Sequence, residues 1–169
     1  MIRRLAFSFL LVSILLIIQT TWLDAIAIYS VLPDLALLAV IYISFKSHGL
    51  QGQMTGFFAG LLQDGVSAAP LGLSAFINTA LATLFNSLSG RFYIDKILMP
   101  FLFGMSATIM KAIMLLVLSW IFKGKILAYD FLQPLIWIET AYNGLLAPIL
   151  FLLFGFLDRI LLPMESKHD

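Results

Sequence analysis

Apolar residues in this chain occur in long runs that are interrupted by short groups of polar and charged residues. Such runs are typical of membrane-spanning helices, which need about 20 mostly apolar residues to cross a bilayer. The pattern predicts six helical segments. They are Leu5 to Ile18, with the apolar stretch continuing to Leu23, then Pro33 to Lys46, Gly52 to Gln63, Leu71 to about Leu88, Ile97 to Phe122, and Pro134 to Leu157.

The first segment has two interpretations. Arg3-Arg4 before an apolar run, with Ala25-Ile26-Ala27 further on, is also typical of a cleaved signal peptide. Trp22 and Asp24 stand where the cleavage region would lie, and the apolar stretch runs on almost unbroken to that point. We therefore expect an uncleaved first helix.

The second and third segments are short. Pro33 is expected to begin the second helix. The N–H groups of a helix's first turn have no partner within the helix, so the missing N–H of proline costs nothing there. Neither segment can cross a bilayer upright unless the bilayer thins or the helix ends extend it. Two full crossings are the simplest arrangement, and a hairpin that reaches half depth is the alternative.

Composition places the chain in the membrane as a single unit. Of its 169 residues 62% are hydrophobic and 11% are charged, whereas soluble domains carry about 25% charged residues. Six spans use nearly all of that apolar content, which leaves no room for a soluble domain. We expect one all-α transmembrane domain over residues 1–169.

The net charge and the cysteine content exclude further classes of function. The net charge of +1 excludes a basic surface for nucleic acid. The lack of cysteine excludes disulfides, thiolate nucleophiles and cysteine-ligated metals.

The distribution of basic residues predicts the orientation, because lysine and arginine are enriched on the cytoplasmic side. With six crossings and a cytoplasmic N-terminus, the cytoplasmic ends would hold Arg3, Arg4, Lys46, Arg91, Lys96, Arg159 and Lys167. The external loops would hold Lys123 and Lys125. Both termini are therefore expected in the cytoplasm.

Three glycines lie at steps of four in the third segment. Gly52, Gly56 and Gly60 share one helix face, where the backbone of another helix can approach closely. Gln63 and Asp64 follow, and Asp64 extends this face by one turn. Either the face packs against a helix and Asp64 caps the loop at residues 65–70, or Asp64 is a carboxylate placed for a partner or ligand.

The fourth segment has a complementary face of small and polar residues. Its members recur at steps of three and four, which is what a partner for the glycine face requires. They are Ala75, Thr79, Ala82, Thr83 and Asn86. We expect the third and fourth helices to be neighbours.

Lys111 lies near the middle of the fifth segment, where a cation costs a few kcal/mol and needs a partner. Glu139 in the sixth segment is the expected partner, and Asp64 and Asp34 are the alternatives. The pair is either a structural ion pair or part of a relay or ligand site. Pro148 is expected to kink the sixth helix.

The sequence lacks the groups of residues that common enzyme mechanisms require. Both histidines, His48 and His168, lie outside the apolar segments, and no H-E-x-x-H motif occurs. An aspartyl intramembrane peptidase needs two facing aspartates, and Asp64 has no evident mate at its depth, which leaves Asp24, Asp34 and Asp130 near the external ends as the alternatives. We expect a protein that is not an enzyme and has no cofactor.

Several strings together resemble the bacterial rod-shape-determining MreD family. They are Leu32-Pro33-Asp34-Leu35, Gly56-Phe57-Phe58-Ala59-Gly60-Leu61-Leu62-Gln63-Asp64, Pro70-Leu71-Gly72-Leu73 and Asn143-Gly144-Leu145-Leu146-Ala147-Pro148. Length, number of spans and motif order agree over essentially the whole chain. From these strings and the glycine face, the residues expected to pack helices or meet a partner are Gly52, Gly56, Gly60, Gln63, Asp64, Pro33, Asp34, Gly72, Asn143 and Pro148.

The resemblance implies a non-enzymatic inner-membrane component of the cell-elongation machinery. Its partners would be MreC directly, and through it MreB and the peptidoglycan synthase RodA with its transpeptidase, besides membrane lipids. The family's fold is similar to the S-component of energy-coupling vitamin transporters, so small-molecule binding is the alternative function. S-components typically dock through an A-x-x-x-A motif in the first helix, whereas Leu5 to Ile18 holds the single alanine Ala6.

Overall fold

Six α-helices make up the regular structure of the described residues. A computed structural model describes residues 2–21, 31–47, 50–89, 97–123, 126 and 129–161. The helices are α1 (Ile2–Thr21), α2 (Leu35–Lys46), α3 (Gln51–Val66), α4 (Leu73–Ser87), α5 (Leu98–Ile121) and α6 (Pro134–Leu161). The predicted all-α class is confirmed, and each predicted segment corresponds to one helix.

The short helix α2 lies at the centre of the fold. Every residue from Leu35 to Phe45 is buried, and α2 contacts each of the five other helices. The most extensive contacts join α3 to α4 and α5 to α6, and α1 packs against α2 and α3. The molecule is therefore two helical hairpins and one further helix arranged around a buried apolar helix.

The start of α2 differs from the prediction. Pro33 precedes the helix instead of occupying its first turn, because Asp34 is the N-cap. The Asp34 side chain accepts a hydrogen bond from the N–H of Leu37 at 3.0 Å, which satisfies a donor that a helix start leaves unpaired. An aspartate directly after a proline was a capping signal, and it outweighs the preference of proline for the first turn.

Among the described residues, three helices are long and apolar enough to cross a membrane. They cover Arg4–Thr21, Leu98–Ile121 and Pro134–Asp158. Helices α2, α3 and α4 have 12, 16 and 15 residues. Large apolar side chains on the outer surface, such as Trp120 and Leu145, are exposed in the isolated chain, as lipid-facing residues are. Crossing by all six helices stays a prediction.

Several residues on which predictions depend lie outside the described part of the chain. They are Trp22, Asp24, Ala25, Ala27, His48, Arg91, Lys96, Lys125, Lys167 and His168.

Candidate functional site

A cluster of buried polar side chains surrounds Asp34, the residue directly before α2. We call it the Asp34 cluster, and its members are Asp34, Gln63, Asn78, Thr108, Lys111, Tyr129, Glu139 and Asn143. These side chains come from α3, α4, α5, α6, the N-cap of α2 and the segment before α6. Gln19 of α1 joins them by accepting from the N–H of Leu35 at 3.1 Å. All six helices therefore meet at this point.

Asp34 is the centre of the cluster. One carboxylate oxygen, Oδ1, caps α2, and the other, Oδ2, accepts from Lys111 Nζ at 2.7 Å and from Gln63 Nε2 at 3.5 Å. Its backbone N–H donates to Oδ1 of Asn143 at 2.8 Å. The residue is 3% exposed, so these contacts replace the water that the carboxylate loses on burial.

Lys111 lies between two carboxylates. Its ammonium is 2.7 Å from Asp34 Oδ2 and 3.3 Å from Glu139 Oε1. The expected contact with Glu139 is therefore present, but the alternative partner Asp34 is the closer one. Asp64, the other alternative, does not take part. A lysine in the middle of an apolar helix is accommodated here because α6 and the N-cap of α2 each bring a carboxylate to it.

Tyr129 completes the surroundings of Glu139. Its hydroxyl donates to Glu139 Oε2. Burial raises the pKa of Tyr129 further above neutral pH, and the protonated hydroxyl is the donor. Glu139 thus receives one hydrogen bond on each carboxylate oxygen.

Amide side chains extend the cluster in two directions. Asn78 of α4 donates to Gln63 Oε1 at 3.2 Å, which connects the α3–α4 hairpin to Asp34. Asn143 of α6 donates to the hydroxyl of Thr108 at 2.8 Å, and Thr108 donates to the carbonyl of Gly104. Asn143 therefore bridges α2, α5 and α6 with both ends of its amide group.

The Asp34 cluster uses its polar atoms internally. Among the described residues, Ser44 Oγ is the only buried side-chain polar atom without a hydrogen-bond partner. No group of three or more histidine, aspartate or glutamate side chains in this part of the chain is placed to hold a metal ion. The arrangement joins helices through hydrogen bonds and ion pairs between their side chains.

Asp64 has a separate structural task at the start of α4. Its carboxylate accepts from the backbone N–H groups of Gly72 at 2.8 Å, Ser74 at 2.9 Å and Ala75 at 3.4 Å. It therefore caps the next helix and not the loop at residues 65–70. Gly72 is the backbone N-cap of α4, with a φ of +93° that an L side chain rarely adopts.

The glycine face of α3 meets two helices. A Cβ added at Gly60 would lie 2.3 Å from the backbone of Ala75, and one at Gly56 would lie 2.6 Å from the carbonyl oxygen of Asn78. At Gly52 the nearest atoms belong to Ser44 of α2, at 2.8 Å. The expected contact between α3 and α4 is present at two of the glycines, and the third serves α2.

The sequence interpretation missed a second close contact, between α5 and α6. A Cβ at Gly104 would lie 2.5 Å from the carbonyl oxygen of Asn143 and 2.9 Å from Cβ of Ala147. The signal was present, because Gly104, Ala107, Thr108 and Ala112 recur at steps of three and four. Helix α6 continues through Pro148, and the predicted kink stays a prediction.

A comparison with known protein families identifies the family of this chain. A model of the family described as rod shape-determining protein MreD matches residues 3–157 of the 169. The chain belongs to the MreD family. No curated protein and no solved structure matches it. Membership of the MreD family makes it a membrane protein with a role in determining rod shape, in a family that is structural and not known for enzymes.

Proposed function

We propose that this MreD-family chain is a non-enzymatic scaffold of the cell-elongation complex, which binds MreC and helps to position peptidoglycan synthesis. MreB, RodA and its transpeptidase would then be reached through the complex. The observation that carries the proposal is the Asp34 cluster, where polar side chains of all the helices except α2 bond to one another, to Asp34 or to the backbone at the start of α2. A rigid bundle with its polar groups paired internally suits a scaffold better than a reaction centre.

Binding of MreC is tested by co-purification. The tagged chain, extracted in mild detergent from cells at normal expression, is expected to retain MreC, and its depletion is expected to turn rods into spheres. An unrelated tagged polytopic protein is the control. Retention of a bound small molecule together with ATPase subunits, without MreC, would instead favour the energy-coupling transporter alternative and contradict the scaffold.

The proposed location is the inner membrane, with both termini in the cytoplasm. The support is the excess of basic residues at the ends that six crossings place inside. In this arrangement Leu50, which is 66% exposed between α2 and α3, faces the cytoplasm, and the exposed Asp130 between α5 and α6 faces outward.

The chain has no cysteine, so single introduced cysteines report topology without background. We expect Asp130→Cys to react with a membrane-impermeant maleimide in intact spheroplasts. Leu50→Cys is expected to react only after the membrane is opened. Labelling of both cysteines in intact spheroplasts would place Leu50 on the outer side and contradict the predicted topology. Protection of Leu50→Cys in both conditions would support the half-depth hairpin of α2 and α3 against two full crossings.

A further inference from the structure

A pocket of about 380 Å³ opens between α2, α5 and α6 at the end of α2 opposite the Asp34 cluster. Its lining is apolar and aromatic, with Phe45, Phe103 and Phe151 among the lining residues and Lys46 at its edge. Leu152 and Phe156 also line it and are more than half exposed on the outer surface of α6. We propose that this pocket binds an acyl chain of an anionic phospholipid, whose phosphate is held by Lys46.

The surroundings of the pocket indicate the kind of occupant. Its volume lies near the lower end of the ~300–1,000 Å³ range of small-molecule sites. Both α5 and α6 are long apolar helices of membrane-spanning length, so the pocket lies beside lipid.

Gly155 contributes to the space. A Cβ added there would meet only the hydroxyl of Tyr42, at 3.6 Å, which is an ordinary contact. This differs from Gly56, Gly60 and Gly104, where a Cβ would strike backbone. The lack of a side chain at Gly155 therefore leaves the pocket open without serving close helix packing.

The edge of the pocket holds a positioned cation. Lys46 Nζ donates to the Tyr42 hydroxyl at 2.8 Å and to Asp158 Oδ2 at 2.9 Å. An ammonium has three N–H donors, so one is unused among the described residues. The Lys46 side chain is 49% exposed.

Asp158 positions the ammonium at this edge and leaves one N–H of Lys46 for a phosphate oxygen. Its Oδ2 atom accepts from both Tyr42 and Lys46, and these contacts hold the ammonium in place. Basic pockets between transmembrane helices are a known way of recognising anionic lipid headgroups. The chemistry of the site, an apolar slot with an ammonium at its edge, matches a single acyl chain with its phosphate.

Lipid binding to the purified full chain in detergent tests the proposal. The probes are phosphatidylglycerol and phosphatidylcholine with the same acyl chains, and the readout is the apparent Kd from native mass spectrometry. Gly155→Leu fills the pocket and is expected to weaken binding of both lipids at least tenfold. Leu145→Phe, on the exposed outer surface of the same helix, is the matched control and is expected to bind as the wild type does.

Charge recognition is tested separately. Lys46→Gln/Asp158→Asn keeps hydrogen-bonding groups at the edge and removes both charges, so we expect it to lose the preference for phosphatidylglycerol while still binding both lipids. An unchanged preference in this variant, or wild-type binding by a folded Gly155→Leu, overturns the proposal. Displacement of the lipid by inorganic phosphate alone also overturns it, since the acyl chain would then contribute nothing. The site is remote from the Asp34 cluster, and its failure would leave the scaffold proposal standing.

Discussion

Replacing Lys111 by methionine is expected to lower the free energy of unfolding by about 3–5 kcal/mol, the loss typical of a broken buried ion pair. The side chains of Asp34 and Glu139 are 4% and 7% exposed, and both lose their cation in this variant. Methionine has nearly the length of lysine, so the loss comes from the two unpaired carboxylates and not from a cavity. Reversible unfolding of the purified protein in mixed micelles measures the difference.

Double-mutant cycles separate the two carboxylates. Lys111→Met combined with Asp34→Asn is expected to show a larger coupling energy than Lys111→Met combined with Glu139→Gln. The reason is that Asp34 is the closer partner, at 2.7 Å against 3.3 Å. The control is Lys46→Met, whose half-exposed pair with Asp158 should contribute about 1 kcal/mol or less. A Lys111→Met variant as stable as the wild type, or no coupling with either carboxylate, would refute the assignment.

Gly60→Leu should destabilise the protein by about 3 kcal/mol or more, at the upper end of overpacking costs. The clash is with backbone atoms of Ala75, 2.3 Å from an added Cβ, so no rotamer change relieves it. Helices α3 and α4 must separate at the point where Asp64 caps α4, and the N–H groups of Gly72 and Ser74 lose their acceptor together with the packing.

Gly65→Leu is the matched control for that change. Gly65 lies in the same helix, five residues further on, and a Cβ there meets nothing within 4 Å. We expect it to be close to wild type in stability and in MreC retention, while Gly60→Leu loses both. Normal expression of Gly60→Leu with undiminished MreC co-purification would contradict the role of this helix contact.

The helices of this fold were predictable because each one coincides with an apolar run, but their ends depended on capping. The preference of proline for the first turn predicts a start at Pro33, whereas the cap formed by Asp34 makes Leu35 the first helical residue. The end of α3 lay beyond Gln63, since Asp64 continues the helix and its side chain reaches forward to α4. Hydrophobic patterns locate a helix to within a few residues, and side-chain hydrogen bonds decide the rest.

The Asp34 cluster could be predicted only in part. The cost of a cation in an apolar segment indicated that Lys111 needs a carboxylate, and Glu139 was within reach. A sequence gives the depth of a residue along a helix but not the direction from which another helix approaches, so Asp34, 77 residues away, could not be ranked first. Tyr129 had no pattern that distinguished it. Asn143 belongs to a family string, but its bridge to Asp34 and Thr108 depends on how the helices pack and could not be predicted.

The central position of α2 has a consequence for the bilayer around the protein. Since the other five helices surround α2 except at the pocket near Lys46, its short length places little demand on the membrane. The demand comes from the outer helices, where α3 is ~24 Å long and α5 is ~36 Å at 1.5 Å per residue. A hydrocarbon core of ~30 Å suits α5 with a tilt but exceeds α3 by ~6 Å. The lipid beside α3 and α4 must therefore thin, or their ends must lie below the headgroups, so one side of the molecule meets a different hydrophobic thickness from the other.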